Sequence, residues 1–363
     1  MAHGDAIYHR KDGLWEARYV KEIDSFGRKK YGSVYAHSYR EAREKRQDAL
    51  DRILLNQTNT PLRKLTVEQL TKEWLHLNKN RLKLSSYQRY QGFFKNHISK
   101  QIGNVGVVYL NTLNIHEFAA ERLSSGLSPR SVNAVLVFLH SILKYGHQQY
   151  KLPLPDIMYL SYSKKEMRVF SIEEQKKLVQ FLLEDMDIYK LGVLVSLYTG
   201  MRLGELCALK WENVSSDAIK VNSTMQRLQK EDGSGTELHI GPPKTDTSSR
   251  TIPVPSFLQP YIEAFREKRK DQEFFLGFDE KGIIEPRTMQ YKFKVFLSKA
   301  GIENANYHAL RHTFATRCVE CEFELKSLSE ILGHANVSFT LGKYVHSSFE
   351  LKKQNMERLS LEL

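Results

Sequence analysis

Arg202 stands between two apolar helical runs, two residues after a glycine turn, in Thr199-Gly200-Met201-Arg202-Leu203-Gly204-Glu205-Leu206. A guanidinium at such a junction can turn its planar fork into a cleft, where it matches a pair of phosphate oxygens. Capping a helix or pairing with Glu205 is the commoner duty of a lone arginine. His308 and Arg311 lie three residues apart and so share one face of a helix. Leu310, Phe314, Cys318 and Cys321 mark the apolar face of that helix, which predicts that His308 and Arg311 project away from the core. Ile331-Leu332-Gly333-His334 ends a helix on a glycine and offers a second imidazole just beyond it. Tyr344 follows ten residues later, and no further tyrosine comes after it. Singly, each of these residues is more often structural than reactive. Jointly, residues of these types near helix ends make a purely structural account a poor one.

Two metal readings carry less weight. His308 and His312 have the spacing of zinc peptidases, but Ala309 stands where those enzymes need their glutamate. Cys318 and Cys321 form a CxxC pair, yet zinc would need two more ligands and Cys207 is the only other cysteine. A packing role is expected for both, and neither a metal nor an organic cofactor is called for.

Three segments position these groups. Over residues 5–38, Trp15, Ala17 and Tyr19 alternate as on a strand, Asp24-Ser25-Phe26-Gly27 is a turn, and 31–36 reads as the return strand. A helix with Ala42, Ala49, Leu50, Ile53 and Leu54 follows, so residues 1–56 are expected to form a small three-stranded sheet plus a helix. Trp15 is assigned to its core. Arg10, Lys11, Arg28, Lys29 and Lys30 flank the strands and are candidate phosphate contacts. Residues 62–165 read as all-α: Thr66 with Gln69 is a capping box, and Ser128-Pro129 opens a helix whose stripe is Val132, Val135, Leu136, Leu139 and Leu143. Residues 166–363 are mixed α+β and mainly helical, with helices near 171–186, 188–199, 202–209, 257–270, 287–300 and 308–332 around a β-rich patch from Ala218 to Val254. The chain is therefore expected to be multidomain.

The charge follows the same division. The 363 residues carry 54 Lys+Arg against 42 Asp+Glu, a formal +12. Residues 1–60 hold a net +3, residues 61–165 a net +10 and residues 166–363 a net −1. A helical middle segment so poor in acids suits a phosphate backbone. No window approaches the roughly 18 apolar residues of a membrane helix, the N-terminus lacks a signal-peptide core, and three cysteines cannot make an even disulfide framework. These features predict an intracellular protein with no membrane partner.

The motifs at residues 199–206 (TGMRLGEL), 308–316 (HALRHTFAT), 332–337 (LGHANV) and 344–346 (YVH) together resemble the tyrosine recombinase, or phage integrase, family over essentially all of residues 60–350. Residues 242–253 (PPKTDTSSRTIP) resemble the family hairpin whose lysine enters the active site. Residues 1–56 resemble the arm-type DNA-binding modules of integrases from phages and conjugative transposons. The resemblance implies a site-specific recombinase that cuts and rejoins double-stranded DNA without metal or ATP, to integrate and excise a mobile element. Arg202 and Arg311 would grip the scissile phosphate, Tyr344 would attack it to form a 3′-phosphotyrosine, and His308 would accept the phenolic proton. Lys244 would protonate the departing 5′-oxygen, and His334 would hydrogen-bond the phosphate. Glu205 occupies a position often acidic in the family and would partner one of these groups. The interval from His334 to Tyr344 is ten residues where many members have nine.

The resemblance also implies a clamp on core-site DNA, with the 62–165 core-binding (SAM-like) domain opposite the catalytic domain and residues 1–56 on separate arm sites. A C-terminal tail (Phe349, Leu351, Met356, Leu359, Leu361) would dock into a neighbouring protomer of a synaptic tetramer. Excisionase and DNA-bending accessory proteins would be further partners, in the bacterial cytoplasm at the nucleoid. The rival readings are a type IB topoisomerase, which recloses the same strand, and a non-catalytic DNA-binding protein.

Overall fold

The structure is a computed structural model of the chain and describes residues 6–23, 28–57, 64–163, 167–230, 234–243, 246–269, 271–277, 282–334 and 356. Among these residues it is rich in helix, with three small antiparallel sheets, and the chain divides into two compact units, 1–164 and 165–363.

The first unit encloses two separate apolar clusters. Strands β1 (Ile7–His9), β2 (Trp15–Ile23) and β3 (Lys29–Ala36) form a meander, with Ile7 opposite Ala17 and Ala17 opposite Val34. The alternation places Ala17 and Ala36 on the face covered by helix α1 (Tyr39–Gln57), where Ala42 meets them. All three alanines are buried, so the helix can lie close to the sheet. Trp15 closes the edge of this cluster against Tyr39, with ring centroids 5.3 Å apart. The opposite face carries Tyr8, Glu16, Arg18, Ser33 and Tyr35.

The second cluster is built by α2 (Val67–Asn78), α3 (Leu84–Phe93), α4 (Thr112–Ser124) and α5 (Pro129–Tyr150). Reciprocal capping boxes at Thr66/Gln69 and Asn111/Asn114 open α2 and α4, and Ser128 caps α5 ahead of Pro129. Phe138 sits at the centre. It stacks on Tyr90 at 4.6 Å between centroids and meets Trp74 edge-on at 5.5 Å. Phe138→Ala should destabilise this bundle by about 3–5 kcal/mol, read as a lowered urea midpoint, because the surrounding rings cannot collapse into the void.

The second unit packs α6 (Ile172–Leu183), α7 (Ile188–Thr199), α8 (Leu203–Cys207), α9 (Gln259–Lys268), α10 (Pro286–Lys299), α11 (His308–Glu320) and α12 (Leu325–Leu332) around one main core. Helix α7 is apolar nearly all round and runs through the centre, against α11. It stops at Gly200, whose φ of +64° and approach to Phe314 leave no room for a side chain.

The β-rich patch is a hairpin nested inside a second strand pair. β5 (Thr224–Gln229) pairs with β6 (Thr236–Gly241), and β4 (Ala218–Val221) pairs with β7 (Arg250–Pro253). Residues 242–253 lead from β6 to β7, and Lys244 and Thr245 among them lie outside the described residues. Pro242 and Pro243 have no amide hydrogen to extend the ladder of β6, and among the described residues of this stretch the last four form a strand.

The single helix expected over 308–332 is two helices. Glu322 adopts a left-handed φ of +58°, and the Glu324 carboxylate accepts from the amides of Lys326 and Ser327, opening α12. Cys321 falls just past the end of α11 and is exposed, not on its buried face. Cys318 is buried, and burial pushes its thiol up to about 12, as expected of a packing residue.

Candidate active site

The polar residues of the second unit converge on the C-terminal end of α12. Gly333 ends that helix in the left-handed conformation (φ +63°), and the helix leaves its last carbonyls without intrahelical partners. Three successive carbonyls each accept from a different arginine. Ile331 takes Arg250 Nε, Leu332 takes Arg311 Nη2 at 2.6 Å, and Gly333 takes Arg202 Nη2 at 3.4 Å. Cations at the negative end of a helix dipole are stabilised, and here three are delivered from three elements.

Arg311 lies in the first turn of α11 and is 2 % exposed, so it does not project away from the core as the helical face predicted. Helix α11 is buried on most sides, and Arg311 is drawn inward by backbone acceptors. Its Nη1 donates to Gly200 O at 2.8 Å, and its Nη2 lies 3.0 Å from His334 Nε2. One guanidinium thereby joins the end of α7, the end of α12 and the imidazole that follows Gly333.

Arg202 sits at the N-cap of α8. Its amide donates to Glu205 Oε2 at 2.9 Å and its Nη1 to Glu205 Oε1 at 2.7 Å, while its side chain remains 37 % exposed. Glu205 is buried. Burial alone would raise its pKa, but the hydrogen bonds and charges of Arg250 and Arg202 outweigh that and hold it below the usual carboxylate range. His308, the first residue of α11, is exposed, and its ring meets His312 edge-on at 4.5 Å. A cleft of about 260 Å³ opens beside it, lined by Met201, Leu203, Gln290, Asn306 and Tyr307.

Of the six predicted residues, Arg202, Arg311 and His334 are brought together, and His308 opens the helix that carries Arg311. Lys244 and Tyr344 lie outside the described residues, as does the C-terminal tail apart from Met356. Arg250 was missed by sequence reasoning, though a signal existed: it shares the period-two parity of buried Ile252 on β7, so a charge stood at an inward position that needed a carboxylate.

The model of the phage integrase family matches residues 168–350, and that of the phage integrase N-terminal SAM-like domain matches residues 66–121. The chain belongs to the phage integrase family. It is 26 % identical to the tyrosine recombinase XerC-like protein of Caldanaerobacter subterraneus, over 94 % of this chain and 96 % of that one. The fold resembles the Tn1549 transposon integrase solved with a circular intermediate DNA (TM-score 0.71, 21 % identity, 82 % of this chain and all of that one). It also resembles a lambda integrase tetramer bound to a Holliday junction (TM-score 0.59, 16 % identity, 95 % and 97 %). Members of this family are DNA strand-transferring enzymes, and the tyrosine recombinase reading of the motifs agrees with the match.

The candidate DNA contacts of this integrase-family chain are spread around its N-terminal sheet. Arg10 is held by Asp12 at 3.0 Å and Glu16 at 3.2 Å, with its guanidinium 5.2 Å from the Tyr35 ring. Lys11 lies in the turn after β1, and Arg28, Lys29 and Lys30 stand at the start of β3; all four are exposed. Arg18, not singled out from sequence, occupies the sheet face opposite α1, beside Tyr8 and Glu16. Its alternation with Ala17 was the available signal.

Proposed function

We propose that the chain is a site-specific recombinase that integrates and excises a mobile DNA element through a 3′-phosphotyrosine intermediate. The observation that carries the reading is the meeting of Arg202, Arg311 and His334 at one helix end, beside the exposed His308. Guanidiniums so placed suit the non-bridging oxygens of a scissile phosphate and the charge that grows on them in the pentacoordinate transition state. Tyr344 Oη attacks phosphorus, the bond to the 5′-oxygen breaks, and the protein is left esterified to the 3′ end. His308 takes the phenolic proton and Lys244 supplies one to the leaving oxygen. A 5′-hydroxyl from a second duplex then attacks the phosphotyrosine. One phosphodiester is exchanged for another, so no ATP is consumed.

In this reading residues 1–56 bind arm sites, 62–165 and 166–363 clamp the core site, and the tail links protomers of a tetramer. The two separate apolar clusters of the first unit support the first division, and the tetrameric lambda integrase supports the assembly. Excisionase and DNA-bending proteins would bias direction, in the bacterial cytoplasm. The test uses nicked duplexes spanning the junctions of the DNA element around its own gene. An SDS-stable protein–DNA adduct and strand exchange between two duplexes are expected. Relaxation of supercoiled DNA without exchange would support the topoisomerase reading, and no adduct would support a non-catalytic binder.

A further inference from the structure

Glu205 is a buried carboxylate shared by two guanidiniums that differ in exposure. Arg250 is 5 % exposed in its side chain and takes the carboxylate as a fork, Nη1 to Oε1 at 3.2 Å and Nη2 to Oε2 at 2.9 Å. Arg202, 37 % exposed, engages it through its backbone amide and one guanidinium nitrogen, Nη1, and directs Nη2 to Gly333 O. The cluster holds two positive charges and one negative charge. The inner arginine takes the bidentate share, leaving the surplus charge on the outer one.

Arg250 also donates Nε to Ile331 O and Nη1 to Ser248 O, so its guanidinium is spent on the protein interior. Its Cδ would lie only 3.0 Å from a Cβ added at Gly333, the residue before His334. It begins β7, six residues after Lys244.

Resting on the recombinase reading above, we propose that Arg250 is a positioning residue that neutralises Glu205, so that Arg202 keeps a net positive charge for the scissile phosphate. Without Arg250, Glu205 and Arg202 close into a neutral pair, and the phosphate meets a cation already compensated. Arg250 never touches DNA in this account. It acts through Glu205 and, at the end of α12, through the carbonyl next to the one that Arg311 holds.

The test compares wild type, Arg250→Met, Glu205→Gln and the double variant in single-turnover cleavage of a nicked duplex carrying the element's own junction. DNA affinity and thermal melting are measured alongside. Arg250→Met should slow cleavage at saturating DNA by about 10²-fold with DNA affinity within about threefold of wild type, since one arginine among many phosphate contacts is compromised. The decisive reading is the double variant. Removing the carboxylate that Arg250 neutralised should restore at least about tenfold of the loss, one unit of charge-pair energy. A merely structural Arg250 would be rescued in melting temperature, because the double variant no longer buries a carboxylate stripped of its fork, so the rescue is read well below the lowest melting point of the four proteins, where a gain in folded fraction cannot raise the cleavage rate. The proposal is overturned if Arg250→Met cleaves within threefold of wild type, or if the double variant is no faster than Arg250→Met. If Arg250→Met does not fold, a folded double variant that cleaves supports the proposal and an inactive one overturns it. Absence of cleavage by wild type would instead overturn the recombinase reading.

Discussion

Tyr344→Phe should leave no covalent protein–DNA adduct on a nicked duplex, with strand cleavage reduced by about 10⁴-fold or more while the DNA is still bound. The substitution removes one oxygen, and that oxygen is the atom that would bond to phosphorus. Residues 345–363 contain no tyrosine, so none of them offers a substitute phenol. A phenol has an ordinary pKa of about 10, so at neutral pH the attack needs a base. His308, exposed at the head of α11, is the group proposed for that duty. Its replacement by Gln should therefore cost less than loss of the nucleophile, about 10²–10⁴-fold, with most of the loss recovered at alkaline pH where the phenol ionises unaided. The readout is a denaturing gel of labelled DNA. An adduct of undiminished yield with Tyr344→Phe would remove the nucleophile assignment.

The capped helices were legible because capping chemistry is local. Thr66, Ser128 and Gly333 each act on backbone groups within one turn, and each stands where its residue type predicts. The small sheet was legible from the alternation of Trp15, Ala17 and Tyr19. The inward turn of Arg311 was not. Ala309, Leu310, His312, Thr313, Ala315 and Cys318 are buried along with it, and a helix covered on most sides has no polar face to give hydrophobic periodicity a phase. What calls a guanidinium inside is a set of carbonyls at Gly200 and Leu332, set by the ends of two other helices. Such acceptors are invisible in the local pattern. The break at 321–324 was hidden for a different reason: Glu322 takes a positive φ that its residue type does not announce. The reactive types were thus readable from the chain, whereas the hydrogen bonds that hold them depend on termini brought together by folding.

Arg202 and Arg311 should separate when each is replaced by alanine, although both are proposed to grip the same phosphate. Either change should cut strand cleavage by about 10²–10³-fold, the scale for losing one preorganised donor to a transition-state oxyanion. Their effects on stability should differ. Arg202→Ala keeps the backbone amide that binds Glu205, and Glu205 retains the fork of Arg250, so no buried charge is orphaned. The side chain lost is more than a third exposed, and the melting temperature should move by only about 2–4 °C, as for roughly 1 kcal/mol in a domain of this size. Arg311→Ala removes at once the guanidinium donors that the buried carbonyls of Gly200 and Leu332 accept from. At about 1–3 kcal/mol for each unsatisfied acceptor, the fall should be on the order of 10 °C. Arg311→Lys restores the charge but not the fork, since a single ammonium cannot span Gly200 O, Leu332 O and the His334 ring together. It should recover part of the stability and little of the cleavage. Equal melting temperatures for Arg202→Ala and Arg311→Ala, measured by calorimetry on the full chain, would contradict the division of labour drawn from their burial. The two arginines would then be interchangeable supports, whereas their hydrogen bonds make Arg311 the interior brace and leave Arg202 the more exposed of the two, as its proposed grip on the phosphate requires.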